Sequence, residues 1–413
     1  MKKVFNNIFK FIITILIISS IGFLGYRYYP KITKLFLNKE KPKPVKVVNK
    51  KKEEKKEVNL TLVGDIMYEG LYLDSINNGD NPNTYLSIVS NKYFKKDDLT
   101  IGNLETTITD NDKLEISGYN YKFCTPQSII DALNNASMDV VSTTNNHSAD
   151  RGIDGINSTL DYLNNNTNIT PVGSFKNKED RDKPVIIEKN GVKIGFVAYS
   201  MGTNDFGKYV TTDEAWRLGL FRKLPYTSIS DEYLEIMKKE ISETRKECDI
   251  LIAIMHWGQE FQFNERDDQK KLATFLNEQN VDIVLGSHSH CLQPVEWYTN
   301  NEGHKTLVFY SLGNFTSADD DVERGPNDID NAYQIGLLSS INIELNEDNN
   351  IVFNSIKLEP TINYFNKDKR DFKIIPLSEY TDEYEQSHYR YNNGLNKTYI
   401  NDLYNKIISE DFR

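Results

Sequence analysis

The sequence predicts a mixed α/β body, two packed sheets with helices outside them, behind a hydrophobic N-terminal anchor. Three observations predict it. Apolar strand candidates recur at 58–64, 99–104, 139–143, 192–199, 250–255, 281–286 and 306–311, with helical spacing between several of them. A helix, then Asp, then a β-branched run occurs at Met138-Asp-Val-Val, Cys248-Asp-Ile-Leu-Ile and Val281-Asp-Ile-Val-Leu, which is the alternation of an α/β layer. Hairpins are written in as well. Val185 to Tyr199 breaks at Asn190-Gly191, and Ile335–Leu345 and Ile351–Leu358 flank the polar stretch 346–350.

From the N-terminus, residues 1–10 are a short basic head with Lys2, Lys3 and Lys10. Phe11 to Gly25 is a charge-free apolar run of 15 residues. A spanning helix needs about 20. Tyr26, Tyr28 and Tyr29 extend the run to interface depth and Arg27 can snorkel, so 11–29 reads as a signal-anchor helix. A cleaved signal peptide is the rival, but no small-x-small site and no lipid-accepting cysteine lie nearby. Arg27, Lys31 and Lys34 follow the run, so basic residues flank it on both sides and do not orient it. A short head before the span and a long body after it point to a single-pass cell-membrane protein with its C-terminal domain extracellular. Residues 30–57 form a basic linker. Its stretch from Asn38 to Glu57 cannot bury a core and reads as an extended, solvated spacer.

Charge divides the chain. Residues 1–57 hold 15 basic and 4 acidic side chains; the rest hold 34 and 56, a net of −22. An acidic body argues against nucleic acid as a partner, and the basic stem suits anionic lipid headgroups. Cys124, Cys248 and Cys291 make neither a disulfide framework nor a metal-binding spacing and read as small core hydrophobes.

Within the body, 58–365, Thr125 offers an N-cap and Pro126 an N1 residue for a helix to about Asn135. Asp231–Glu247 and Asp267–Gln279 have helical apolar spacing. Residues 366–413 are a polar, Tyr-rich extension. Leu395, Tyr399, Leu403 and Ile407 mark a helix that docks on the body.

Four of the six histidines fall in three short clusters: Asn145-Asn-His147, His256-Trp-Gly258 and His288-Ser-His290. In an extended segment His288 and His290 point the same way. His256 ends the run Ile250–Met255, and Asp65 and Glu105 each close an apolar run. Each has an ordinary reading when taken alone: a surface loop, a satisfied core histidine, an Asx turn or an N-cap. Together, at strand ends on one rim, they describe a metal site. Asn146 adds a neutral amide oxygen. His147 is placed to give a proton, and Asp150 to orient that ring if the segment is helical.

In this order the residues resemble the motifs of calcineurin-like metallophosphoesterases. Their wording is closer still to the poly-γ-glutamate capsule synthesis family, CapA or PgsA. The stretches are Gly64-Asp-Ile-Met67, Gly102-Asn-Leu-Glu105, Asn145-Asn-His-Ser-Ala-Asp-Arg-Gly152, His256-Trp-Gly-Gln-Glu260, Val281 to Glu296 and Tyr310-Ser-Leu-Gly-Asn-Phe315. The resemblance covers about residues 58–320, and an N-terminal anchor also fits that family.

The resemblance implies a four-layer α/β/β/α sandwich with two divalent metal ions between the sheets. It implies Asp65 and Glu105 as metal ligands, with Glu105 bridging. Asn146, His256 and His288 would complete one ion and His290 the other, with His147 protonating a leaving group. Mixed N/O ligands suit Mn, Fe or Zn without choosing among them. Two departures stand out. Met67 occupies the position of a phosphoesterase histidine, so Glu69 or Glu260 are alternative ligands, and Ser287 stands where that pattern has Gly. Asn314 and Glu296 read equally as pocket residues or as turn and surface residues. Three functions follow. The first is a membrane component of poly-γ-glutamate capsule assembly or export, its partners being that anionic polymer and other capsule-synthesis membrane proteins. The second is a metal-dependent hydrolase of a phosphoester or amide bond in an envelope polymer. The third is a non-catalytic polymer-binding scaffold.

Overall fold

The structure, a computed structural model, describes residues 2–37, 56–109, 114–318 and 327–413. It comprises two units, Met1–Glu54 and Lys55–Arg413. In the first, a single helix runs Lys2–Leu37, longer than the 11–29 expected. Its Asn7–Lys31 stretch, 25 residues, is long and apolar enough to cross a membrane, about 37 Å at the α-helical rise. The hydroxyls of Thr14, Ser19 and Ser20 donate back to Lys10, Ile15 and Leu16 carbonyls, so none of the three requires water. The spacer expected from Asn38 falls outside the described residues up to 55.

The second unit holds sixteen strands among the described residues. In chain order they are β1 (Glu57–Ile66), β2 (Leu99–Leu104), β3 (Thr107–Thr109), β4 (Cys124–Pro126), β5 (Val140–Ser142), β6 (Thr170–Val172), β7 (Val185–Lys189) and β8 (Val192–Ser200). They continue with β9 (Ile250–His256), β10 (Ile283–Ser287), β11 (Val295–Thr299), β12 (Lys305–Phe309), β13 (Asn314–Thr316), β14 (Ile335–Leu345), β15 (Ile351–Tyr364) and β16 (Lys373–Pro376). One sheet runs β16-β15-β14-β1-β2-β5-β6, with β13 also beside β1; the other runs β11-β12-β10-β9-β8-β7; β3 and β4 make a small parallel pair. Within each main sheet the central pairings are parallel, and antiparallel strands lie at the margins: β14 to β16 in one, β7 and β11 in the other.

Alternation along the strands sorts side chains into layers. Val58, Leu60 and Leu62 of β1 join Leu99 and Ile101 of β2 in one inter-sheet core with Ile194, Phe196, Ile252, Ile254, Ile283 and Leu285. On the outer face of the first sheet, Val63, Ile66 and Val141 pack on Ile129, Ile130 and Leu133 of the helix Gln127–Asn135. On the outer face of the second, Val197, Leu251, Ala253 and Val284 pack on Met237 and Ile241 of Asp231–Arg245 and on Leu272 and Leu276 of Asp267–Glu278. The order of layers is α/β/β/α. Strands buried on both faces explain why their sequences are continuous apolar runs.

Both expected hairpins form. Two details differ. Thr125 and Pro126 belong to β4; the helix begins at Gln127, and the Thr125 hydroxyl pairs with Thr106 Oγ1 at 2.8 Å instead of capping it. β15 continues to Tyr364 beyond the expected Leu358. At the C-terminus, Leu395, Ile400, Leu403 and Ile408 are buried in the inter-sheet cluster, with Tyr399 and Ile407 half-buried beside them, so the helix Lys397–Ile407 docks on the body. Cys124 and Cys291 are buried and Cys248 half-buried, all three as free thiols.

Candidate metal centre

The centre sits where parallel strands end. β1 carries a register shift between Leu62 and Asp65, after which it pairs with β2 through Asp65–Asn103 and with β13 through Asp65–Asn314. Gly64 permits this approach: a Cβ there would lie 2.0 Å from Gly313 O. Asp65 is thus held on both sides. Its Oδ1 accepts from Asn103 Nδ2 at 2.8 Å and its Oδ2 from the His288 amide at 3.0 Å. Glu105 follows β2, its amide donating to Ile66 O at 3.0 Å.

Asp65, Glu105, Asn146, His256, His288 and His290 all converge here and all are buried. Ligand atoms of Glu105, His288 and His290 lie within 4.8 Å of one another, and so do those of Asp65, Glu105 and His256. These triads share Glu105. They group His288 with His290, whereas the resemblance set His288 with His256.

Several atoms here lack a partner that protein alone would supply. Both carboxylate oxygens of Glu105 and Nδ1 of His288 are buried without a hydrogen bond. Glu105 Oε1 faces His256 Nε2 at 3.6 Å, His290 Nε2 at 3.9 Å and His147 Nε2 at 4.0 Å. These separations are too long for hydrogen bonds. They suit donors around a shared cation, since two ligands at about 2.1 Å in a tetrahedral shell stand about 3.4 Å apart.

The outer contacts fix the rings. His256 Nδ1 lies 3.0 Å from Ser287 Oγ and 3.3 Å from Asn103 Nδ2, and its Nε2 lies 2.9 Å from Asn146 Oδ1, so the ring is held at both nitrogens. Asn314 Oδ1 accepts a hydrogen bond from His290 Nδ1 at 2.9 Å while its own Nδ2 donates to Tyr333 O at 3.0 Å, which turns His290 Nε2 toward Glu105. Such contacts are how a second layer orients metal ligands.

Charge follows the same pattern. Burial first, then the neighbouring Asp65, holds the Glu105 carboxyl well above its ordinary range. Burial, then His288 and His290, holds His256 well below the imidazole range; burial, then His290, does the same to His288. Both rings are neutral, as ligands must be. Burial also opposes charge on His290, but Asp65 and Asn314 outweigh it and raise its pKa. The donor set fits one or more divalent cations.

His147 and Asp150 form a pair: Nδ1 donates to Oδ2 at 2.7 Å. Asp150 Oδ2 also accepts from Phe123 N at 2.6 Å, and the Phe123 ring lies 4.4 Å from the imidazole. The segment is a run of turns, with the next helix beginning only at Gly152, so the pair forms without the helical spacing on which the reading of Asp150 depends. Asn145 organises it, its Oδ1 accepting from His147 N and its Nδ2 donating to Asn103 Oδ1 and Leu104 O.

Other expectations change. His288 and His290 do not lie on an extended segment: their φ angles are +94° and +54°. Tight left-handed turns beyond β10 bring the rings together, 5.9 Å between centroids, where strand alternation was expected to. Glu69 is not spare: it accepts from Ala318 N at 2.7 Å and Tyr333 OH at 2.8 Å. Glu260 is half-buried and near enough to raise the pKa values of Glu105 and His290. Met67 is buried among Phe123, Tyr333 and Phe261. Glu296 sits in β11, where its charge acts on Lys270 of the helix Asp267–Glu278 rather than on the centre. Sequence reasoning missed Asn103, the working role of Asn145, and Ser287 as the support of His256. The first was detectable, since pairing β1 with β2 in parallel sets Asn103 opposite Asp65.

The α/β/β/α layers and the acid–histidine cluster at the strand ends agree with the arrangement that the resemblance implies. Residues 59–319 match the bacterial capsule synthesis protein PGA_cap family. The chain belongs to that family. It is 29% identical over 260 residues to the PGA biosynthesis protein CapA of Bacillus subtilis strain 168, covering 62% of this chain and 63% of that protein. It is 26% identical over 269 residues to the capsule biosynthesis protein CapA of Bacillus anthracis, covering 64% and 61%. Each match spans less than two thirds of the relative's length. Among solved structures, the Haemophilus influenzae NAD nucleotidase is a loose likeness: 10% identity, TM-score 0.41, covering 86% of this chain and 57% of that one.

Proposed function

We propose that this chain is a membrane-anchored component of poly-γ-glutamate capsule, or related envelope polymer, synthesis or export, with its metal centre on the outer side of the cell membrane. The observation that carries the metal centre is Glu105, buried with neither oxygen bonded and ringed by three imidazoles. Family membership supplies the polymer, and the Asn7–Lys31 helix supports the single-pass anchor. We read 58–365 as the functional domain and 366–413 as an extension docked on it. Two ions, Mn, Fe or Zn, would share Glu105, held otherwise by Asp65, Asn146, His256, His288 and His290. Bound there, they would supply Lewis acidity and an activated water. The chain's own part is to hold His256 and His288 neutral and to aim His256 and His290 through Ser287 and Asn314. Partners would be the anionic polymer and other capsule-synthesis membrane proteins.

A second reading, hydrolysis of a phosphoester or amide bond in that polymer, is favoured by the His147–Asp150 pair. Asp150 fixes the His147 ring by Nδ1, leaving Nε2 at the centre to give a proton to a leaving group. The test is metal per chain in the purified full-length protein, a phosphodiester assay, and surface polymer in cells carrying His288→Ala. Bound metal with polymer loss in the variant supports the reading. A metal-free protein, or normal polymer in the variant, overturns it.

A further inference from the structure

An acidic body facing an acidic polymer leaves a question the loops around His147 answer. Residues 203–210 reach the centre through Asn204, whose backbone amide donates to Asn146 O at 2.8 Å and whose Nδ2 lies 3.4 Å from His147 Nε2. Residues 117–123 reach it through Phe123, which contacts both His147 and Asp150. The Tyr209 ring lies against Gly152, just past the same pair.

These loops turn large aromatic side chains outward. Phe206 is 72% exposed, Tyr121 66% and Tyr209 42%. Tyr121 and Phe206 do so on left-handed backbone, φ +54° and +47°. Bulky residues adopt that conformation at a cost of about 1–2 kcal/mol each, and such outliers gather at functional sites.

Cations accompany the rings. Lys122 and Lys208 are exposed and make no ion pair among the described residues, although the charge of Asp205 acts on Lys208. Lys208 Nζ stands 4.7 Å over the Tyr209 ring, and Lys122 also acts electrostatically on that tyrosine. Arg151 donates to the carbonyls of Glu115 and Asp150. The nearby acid Asp205 is occupied by the Thr203 hydroxyl and the amides of Gly207, Tyr209 and Val210. Two exposed ammonium groups without an ion pair thus stand among exposed rings, on a body whose net charge is −22.

We propose that Tyr121, Lys122, Phe206, Lys208 and Tyr209 form a docking surface for a linear acidic polyamide, laid across the mouth of the metal centre. The ammonium groups pair with its carboxylates, and the rings cover the methylene and amide segments between them. This rests on the polymer reading above. An anionic bilayer has related chemistry, but both loops are tied to His147 through Asn204 and Phe123, which favours a ligand presented to the centre.

The test uses the full-length protein in neutral phosphatidylcholine nanodiscs, titrated with fluorescent poly-γ-glutamate, beside Lys122→Glu/Lys208→Glu and Phe206→Ala/Tyr209→Ala. Each pair should weaken binding about tenfold, the scale of two exposed rim contacts, with melting temperature and metal per chain unchanged. The charge pair should also flatten the salt dependence. Unchanged polymer affinity in both variants overturns the surface. So does loss of phosphatidylglycerol-vesicle binding with polymer binding intact, which would assign the rim to lipid. If the native chain binds no polymer the surface is likewise overturned, while metal content and surface polymer in His288→Ala cells still judge the functional reading by themselves.

Discussion

Glu105→Gln removes a charge from the point shared by both ligand triads without changing side-chain shape, so its effect on metal-dependent stability can be worked out in advance. Free metal at a hundredfold over its dissociation constant stabilises the folded chain by about 2.7 kcal/mol per ion. The unit Lys55–Arg413 has an unfolding entropy of about 0.75 kcal/mol/K at the usual value per residue. One ion should therefore raise the melting temperature by about 4 °C and two by about 7 °C. Because Glu105 belongs to both triads, Glu105→Gln should abolish most of the rise whichever number binds. Without metal it should change the melting temperature by less, since Glu105 has no hydrogen bond to lose. The assay is scanning calorimetry of native and variant protein, chelated and then titrated with Mn or Zn. A full metal-dependent rise in the variant would refute Glu105 as a ligand.

Three further outcomes are expected. His147→Ala should keep the metal-dependent rise and slow hydrolysis of a phosphodiester by about 10²–10⁴-fold; unchanged hydrolysis would sink its role as an acid. Gly286→Ala puts a Cβ 2.1 Å from Tyr310 O and 2.5 Å from Phe309 O, so it should cost about 1–3 kcal/mol and lower bound metal by displacing His288 and His290; a native melt with full metal content would contradict this. His388 is buried and neutral, its pKa pushed by burial from 6.5 down to about 4, with Nε2 donating to Asn363 O and Nδ1 accepting from Arg390 N. The unfolded chain takes up that proton first, so its contribution is full above pH 6.5 and about 3 kcal/mol is lost by pH 4. Urea unfolding at pH 7 and 4.5 should show a shallower acid loss in His388→Gln, and an unaltered loss would exclude the histidine.

Strand positions, both hairpins and the docking helix were legible because each depends on local spacing: Asn190-Gly191 makes its turn whatever surrounds it. The six proposed ligands were legible for a related reason, since an acid or imidazole closing a buried strand has few places to go but the rim. The geometry between them was not. His288 and His290 meet through left-handed turns that no residue type announces. The Ser287 contact with His256 depends on β9 and β10 lying side by side in register, which is a tertiary fact. Thr125 failed as a cap because Thr106, distant in local pattern, took its hydroxyl. Glu69 looked available until the Tyr333 hydroxyl and the Ala318 amide were seen to occupy it.

The bond from the His288 amide to Asp65 joins residues 223 positions apart, and it closes the same seam at which β1 changes neighbours. No fragment of the chain that lacks either end can hold the ligand set. Closing so long a loop comes late in folding, after the entropy of the intervening chain has been lost. A cation captured there would act as a final latch. Its chief effect would fall on the rate of opening rather than the rate of assembly, so chelated protein should refold at nearly the native speed yet unfold much sooner.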